Sequence, residues 1–140
     1  MYKEAFGEFL TSTDTLRIYQ GAQLTFYSKK GRLLPLLEYI QQDTHRRQGV
    51  VIFDRVMGSA AALLSIRADC REVYSPLGSQ LAIRIFEIYG IEYHLIKIVP
   101  YVQNSTGDAI CPMEKLSINK NPEEFYEVMM NRIKKPRAER

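Results

Sequence analysis

The stretch from Val50 to Ile91, VVIFDRVMGSAAALLSIRADCREVYSPLGSQLAIRIFEIYGI, decides the fold. Val50-Val51-Ile52-Phe53 is apolar without alternation, the mark of a strand covered on both faces. A helix is predicted from Gly58 to Arg67, where Ala60, Ala61 and Ala62 allow close approach to a sheet. Arg71 to Ser75 is a second strand. The helix after it carries Leu81, Ala82, Ile85, Phe86 and Tyr89 on one stripe and ends at Gly90, a common residue just past a last turn. Tyr93 to Val99 is the next strand, stopped by Pro100. Strand–helix repeats of this kind make a parallel sheet. The turns Met57-Gly58-Ser59-Ala60 and Ser75-Pro76-Leu77-Gly78-Ser79 should therefore lie side by side at the carboxyl edge of the strands, where open α/β sheets place ligands.

Working outward, Tyr2, Ala5, Phe6, Phe9 and Leu10 recur at helical spacing and predict a short amphipathic helix on a face of the sheet. The alternating runs on either side of Gly21-Ala22 predict a hairpin, and Leu33 to Ile40 a helix with Pro35 in its first turn. Residues 42–49, which include His45, read as a polar loop. Downstream of Pro100, the run Tyr101 to Asp108 reads as a turn-rich loop emerging at the carboxyl edge. Cys111-Pro112-Met113-Glu114 and Asn121-Pro122-Glu123-Glu124 both fit helix starts with proline first and glutamate at the third position, and the last helix should carry Phe125, Met129 and Ile133 inward.

The 140 residues, 46% of them hydrophobic, suffice for one domain with a sizeable core, expected over residues 1–133. The net charge of +3 comes largely from residues 134–140, which read as a basic, disordered tail; no basic stripe interleaved with aromatics supports a nucleic-acid partner. No apolar run has the length of a membrane span, and the first ten residues lack the order of a signal peptide. Two cysteines in a chain of this size are no disulfide framework. The expectation is a cytoplasmic protein with no membrane partner.

The run DRVMGSAAALL, the order strand then YSPLGSQLAIRIFEIYGI, the VPYVQNSTG loop and above all CPMEKL resemble an uncharacterised family of small prokaryotic proteins with a cytidine-deaminase-like fold that lack the deaminase zinc motif. The resemblance extends from about Leu16 to the last helix. It implies a three-layer α/β/α domain with a five-stranded mixed sheet, and no established activity. True deaminases hold zinc with an (H/C)-x-E motif at one helix start and P-C-x-x-C at the next. The corresponding positions here are Gly58, Ser59, Ala60 and Ala61, then Pro76, Leu77, Gly78 and Ser79, with no ligand of the usual kind and no catalytic glutamate. The expectation is no metal, no cofactor and no zinc-dependent deamination.

Several residues are candidates for a site at the carboxyl edge. Asp54 closes a central strand there, or else simply binds loop amides or Arg55. Gly58, Ser59, Gly78 and Ser79 stand at helix starts, whose free N–H groups suit an anion; the simpler alternative is that each serine caps its own helix. Cys111 at a helix start, with Glu114 one turn on as acid or base, is the candidate catalytic pair, and the same two residues equally suit a capping box. Asn104 could reach a ligand from its loop or serve only the turn. His45 and His94 share no ligand or triad spacing and read as structural or exposed. Two functions from different classes follow: a small-molecule site without zinc, for a nucleotide-like or other anionic metabolite, or a non-catalytic binding or scaffold protein that retained only the fold. Whether the protein is an enzyme, and whether it forms a homo-oligomer, the residues leave open.

Overall fold

The computed structural model describes residues 2–42 and 49–134. Its elements are α1 (Lys3–Thr11), β1 (Leu16–Gln20), β2 (Gln23–Ser28), α2 (Leu34–Gln42), β3 (Val50–Asp54), β4 (Val56–Met57), α3 (Ser59–Arg67), β5 (Cys70–Ser79), α4 (Gln80–Tyr89), β6 (Glu92–Val99), α5 (Pro112–Ser117) and α6 (Pro122–Lys134). β3, β5 and β6 are parallel neighbours, as the apolar runs and crossover helices predict. The β1–β2 hairpin joins through β1, which runs antiparallel to β3, so the sheet is mixed. His45 and the polar loop around it, and the tail beyond Lys134, lie outside the described residues.

Among the described residues the sheet has six strands, where five were expected. The extra one is β4, two residues that pair with Leu77 and Gly78 along the stretch of β5 beyond the end of β3. For the same reason Ser75 to Ser79 is strand and not a turn: β4 pairs it on one side, and on the other the register runs from Ser75 opposite Leu95 to Ser79 opposite Val99. Pro76, with no N–H to give, falls between the pairing to β3, which ends at Tyr74, and the pairing to β4, which starts at Leu77.

All five residues of β3 are buried. Alternate residues serve two different cores. Val50 and Ile52 face the larger one, with Leu36 of α2, Leu63 and Leu64 of α3, Phe86 of α4 and Phe125 of α6. Val51 and Phe53 face Tyr2, Phe6 and Phe9 at α1, together with Tyr19 and Tyr74. α3 lies at the centre of the larger layer, buried continuously from Ser59 to Ser65, and its three alanines bring it close to the sheet. Each fully buried Phe or Leu contributes roughly 1.5–3 kcal/mol by leaving water. In α6 the stripe differs from expectation by one position: Phe125, Met129 and Met130 are buried, whereas Ile133 is half exposed. Its start is a capping box, with Asn121 Oδ1 accepting from the Glu124 N–H and Glu124 Oε1 accepting from the Asn121 N–H.

Arg55 ties α1 to the sheet. Its guanidinium donates to the carbonyls of Phe9 and Ser12, both at 2.7 Å, and to that of Asp14 at 2.9 Å, and it lies 4.3 Å from the centre of the Phe9 ring. A cation is thus seated at the carboxyl end of α1, where helix polarity favours one.

Candidate functional site

The carboxyl edge assembles much as expected. Met57 lies opposite Gly78 and Gly78 opposite Ile98, so the starts of α3 and α4 and the loop after β6 share one edge. What fills that edge is Glu114. This carboxylate is only 2% exposed; one oxygen accepts from the Ser59 N–H and hydroxyl, and the other accepts from the Val102 N–H at 2.8 Å. The first free amide of α3 is therefore occupied by the protein's own anion, as helix polarity favours. Ser117 Oγ donates to the Glu114 carbonyl at 2.6 Å and lies against Ser59 Oγ, whose own hydrogen goes to the carboxylate. Gly58 is required by this arrangement, since a Cβ there would stand 2.5 Å from Glu114 Oε1 and 2.8 Å from Val102 Cγ2.

Other candidates turn inward in the same way. Ser79 caps its own helix, accepting from the Ala82 N–H at 3.1 Å, and a Cβ on Gly78 would overlap the Leu95 side chain. Asn104 closes its loop, giving its amide to Asp108 Oδ1 at 3.0 Å and accepting from the Thr106 hydroxyl at 3.1 Å and the Asp108 N–H at 3.2 Å. The Thr106 hydroxyl also lies 2.7 Å from Asp108 Oδ1, and hydrogen bonding from it and from the Asn104 amide holds the Asp108 carboxyl below its ordinary range. Cys111 and Glu114 do not form a capping box: the cysteine side chain caps nothing, and the glutamate reaches across to α3 instead of back to its own helix start. Cys111 is half buried, while Cys70 is buried and its thiol is pushed up to about 12 by that burial. Asp54 sits buried at the end of β3, where Oδ1 accepts from the Arg55 N–H at 2.8 Å. Burial pushes its carboxyl up to about 8, against the lowering effect of the backbone bonds from Arg55 and Val56.

The opposite face holds features that the sequence reading missed. α1 leaves part of β6 uncovered, so Ile96 is 67% and Ile98 47% exposed. Beside them runs a groove of about 580 Å³, lined by Lys3 and Phe6 of α1, Tyr74 of β5, and His94, Ile96 and Ile98 of β6 among others. Where β5 and β6 begin, Glu72 lies opposite Glu92 and Tyr74 opposite His94. His94 Nε2 is 2.8 Å from Glu72 Oε2 and 3.0 Å from Glu92 Oε2, and the Tyr74 hydroxyl donates to Glu72 Oε2 at 2.9 Å. Burial alone would raise the Glu72 carboxyl, but the bonds from Tyr74 and His94, with the positive charge of Arg71 nearby, hold it below the ordinary range. The donor atoms of these three ligand-type side chains lie within 4.8 Å of one another. The available signal was the pair of strand openings, Glu72-x-Tyr74 and Glu92-x-His94, which parallel register turns to one face.

No helix among the described residues is long and apolar enough to cross a membrane. A DUF1893 family protein (TM1506) from Thermotoga maritima has a similar solved structure, with a TM-score of 0.83 and 24% identity over 93% of this chain and 88% of that one. At that identity the likeness establishes the fold alone. No curated protein matches the chain. The family model TM1506, a domain of unknown function (DUF1893), matches residues 7–133, nearly the whole length, and the protein accordingly belongs to the DUF1893 family.

Proposed function

We propose that this protein is a non-catalytic binding domain of cytidine-deaminase-like architecture, whose carboxyl edge is closed by Glu114 and whose open surface is the groove between α1 and β6. The observation that carries the reading is the Glu114 carboxylate seated on the first amide of α3. An anionic ligand at that edge would have to displace a buried carboxylate from three donors, at a cost of roughly 1.5–3 kcal/mol for each charged hydrogen bond lost. The groove needs no such displacement, and it has the mixed lining of a binding surface: apolar walls from Phe6, Ile96 and Ile98 with Lys3 and His94 as polar points. The unit is a single domain over residues 1–133 in the cytoplasm, where Cys70 and Cys111 stay as free thiols.

A second reading keeps a small-molecule site at the carboxyl edge, with Asp54, Gly58, Ser59, Gly78, Ser79, Asn104, Cys111 and Glu114 around it. It is favoured by one observation, the buried Asp54 carboxyl held largely protonated near neutral pH at a strand end, because such perturbed acids concentrate at working sites. A ligand-observed NMR screen of a metabolite library separates the two. Under the groove reading, hits vanish in Ile96→Glu and persist in Asn104→Ala. Hits that persist in Ile96→Glu and vanish in Asn104→Ala would overturn it and establish the carboxyl-edge site.

A further inference from the structure

We propose that Glu72, Glu92 and His94 form a binding site for a divalent transition-metal ion, Zn²⁺ in the first instance, on the α1 side of the β5–β6 pair. Three observations carry this, and none depends on what the groove takes. The first is register. Glu72 and Glu92 face each other directly across the two strands, an arrangement of like charges that destabilises a sheet and that a cation between the two carboxylates would relieve. Glu72 is buried, which keeps water from screening it.

The second observation is the shortage of donors. His94 Nε2 stands close to a carboxylate oxygen on each side, at 2.8 and 3.0 Å, yet one ring nitrogen carries at most one hydrogen and cannot serve both fully. A metal ion in place of that hydrogen bonds all three atoms at once. Donor atoms placed about 2 Å from one tetrahedral ion lie ~3.3 Å apart, so the two His94 contacts need to open by only a few tenths of an ångström, and the two carboxylate oxygens, already within 4.8 Å of each other, are brought to that spacing by the exposed Glu92. One imidazole and two carboxylates suit zinc, and three protein ligands leave a fourth position open to water or a ligand atom.

The third observation is the support behind the ligands. The His94 ring stacks on Tyr74 with centroids 4.1 Å apart and planes 14° from parallel, which fixes where Nε2 points. The Tyr74 hydroxyl donates to Glu72 Oε2, and Arg71 Nη1 lies 3.3 Å from Glu72 Oε1, so the buried carboxylate is oriented from outside the ligand set. Glu92 has 65% of its side chain exposed, which gives an ion a path in from solvent and a ligand able to swing onto it.

The test uses the full chain carrying Cys111→Ser, to remove the more exposed thiol, stripped with chelator and titrated with Zn²⁺ alone by calorimetry. One equivalent should bind, and Zn²⁺ should raise the thermal midpoint by mass action. Glu92→Gln and His94→Gln should each weaken binding by about tenfold or more. Because Glu92 is exposed, its variant keeps the fold and decides the matter even if Glu72→Gln or His94→Gln fails to fold. Absence of binding in the parent, or undiminished binding in Glu92→Gln, would overturn the assignment.

Discussion

Replacing Glu114 should cost far more stability than its place in a six-residue helix suggests. Both carboxylate oxygens accept backbone amides, Oε1 from Ser59 at the start of α3 and Oε2 from Val102 in the loop after β6. Glutamine keeps the volume but offers one acceptor oxygen, so one amide must face an NH₂ group. A lost charged hydrogen bond costs roughly 1.5–3 kcal/mol, and an unsatisfied buried donor adds about 1–3. Glu114→Gln should therefore lose ~3 kcal/mol, or about 10 °C in midpoint for a chain of this size, read by urea and thermal unfolding. Gly58→Ala provides the cross-check, because the new Cβ strikes Glu114 Oε1 and Val102 Cγ2. In a Glu114→Ala background the first clash is gone, so the two losses should be less than additive by about 1 kcal/mol. A loss below about 0.5 kcal/mol in Glu114→Gln, the scale of ordinary surface changes, would refute the closed carboxyl edge.

The remaining expectations concern pH, thiols and the open face. Asp54, at about 8 when folded and about 3.9 when unfolded, binds a proton in the native state that the unfolded chain releases between those values. Its contribution is complete below pH ~4 and declines as pH rises towards 8, by about 1.4 kcal/mol per unit; Asp54→Asn should abolish that slope in urea titrations from pH 5 to 8, and parallel profiles would sink the claim. Asp14 and Glu72, both held low, act in the opposite sense and lose their contribution as pH falls through the carboxylate range. Cys111 should alkylate well before Cys70 at neutral pH, since the latter is buried with its thiol near 12; equal rates by mass spectrometry would contradict the placement of both. Ile96→Lys should change the unfolding free energy by less than about 0.5 kcal/mol and reduce binding of a hydrophobic dye; a large loss of stability would mean that Ile96 is packed.

The central part of the fold was legible because its signals are local. Val50 to Phe53 is a run that only a doubly covered strand tolerates, Gly90 ends α4 in the left-handed conformation, and Asn121 with Glu124 closes its capping box within four residues. β4 and the extension of β5 carry no such signal: Val56–Met57 is a strand only because Leu77 and Gly78 lie alongside it. The Cys111–Glu114 spacing shows how a correct local pattern can mislead. A glutamate at the third position of a helix can bond its own helix start or a neighbour's, and the partner it takes, Ser59, is 55 residues away.

The Glu72–Glu92–His94 cluster was hidden for a related reason, since its members meet only through the register of two strands. A slip of one residue would send one strand's side chains to the other face. The openness of that face, by contrast, follows from widths. α1 runs along β3, from Tyr2 beside Gly21 and Arg71 at one end to Phe9 and Ser12 beside Arg55 at the other, and one helix is about 10 Å wide, whereas five strands abreast, with β4 in line with β3, span roughly 19 Å. One such helix, centred on Phe53 by its aromatic contacts, leaves the far strand bare. The sequence of β6 agrees: Glu92, His94 and Lys97 interrupt its apolar residues, as in a strand at an edge, while β3 has only the terminal Asp54. Charged residues at the start of β6 and isoleucines further along it are therefore two consequences of one geometric fact, a single helix too narrow to cover the sheet beneath it. That is why the polar cluster and the apolar groove share His94 and Tyr74 on one surface.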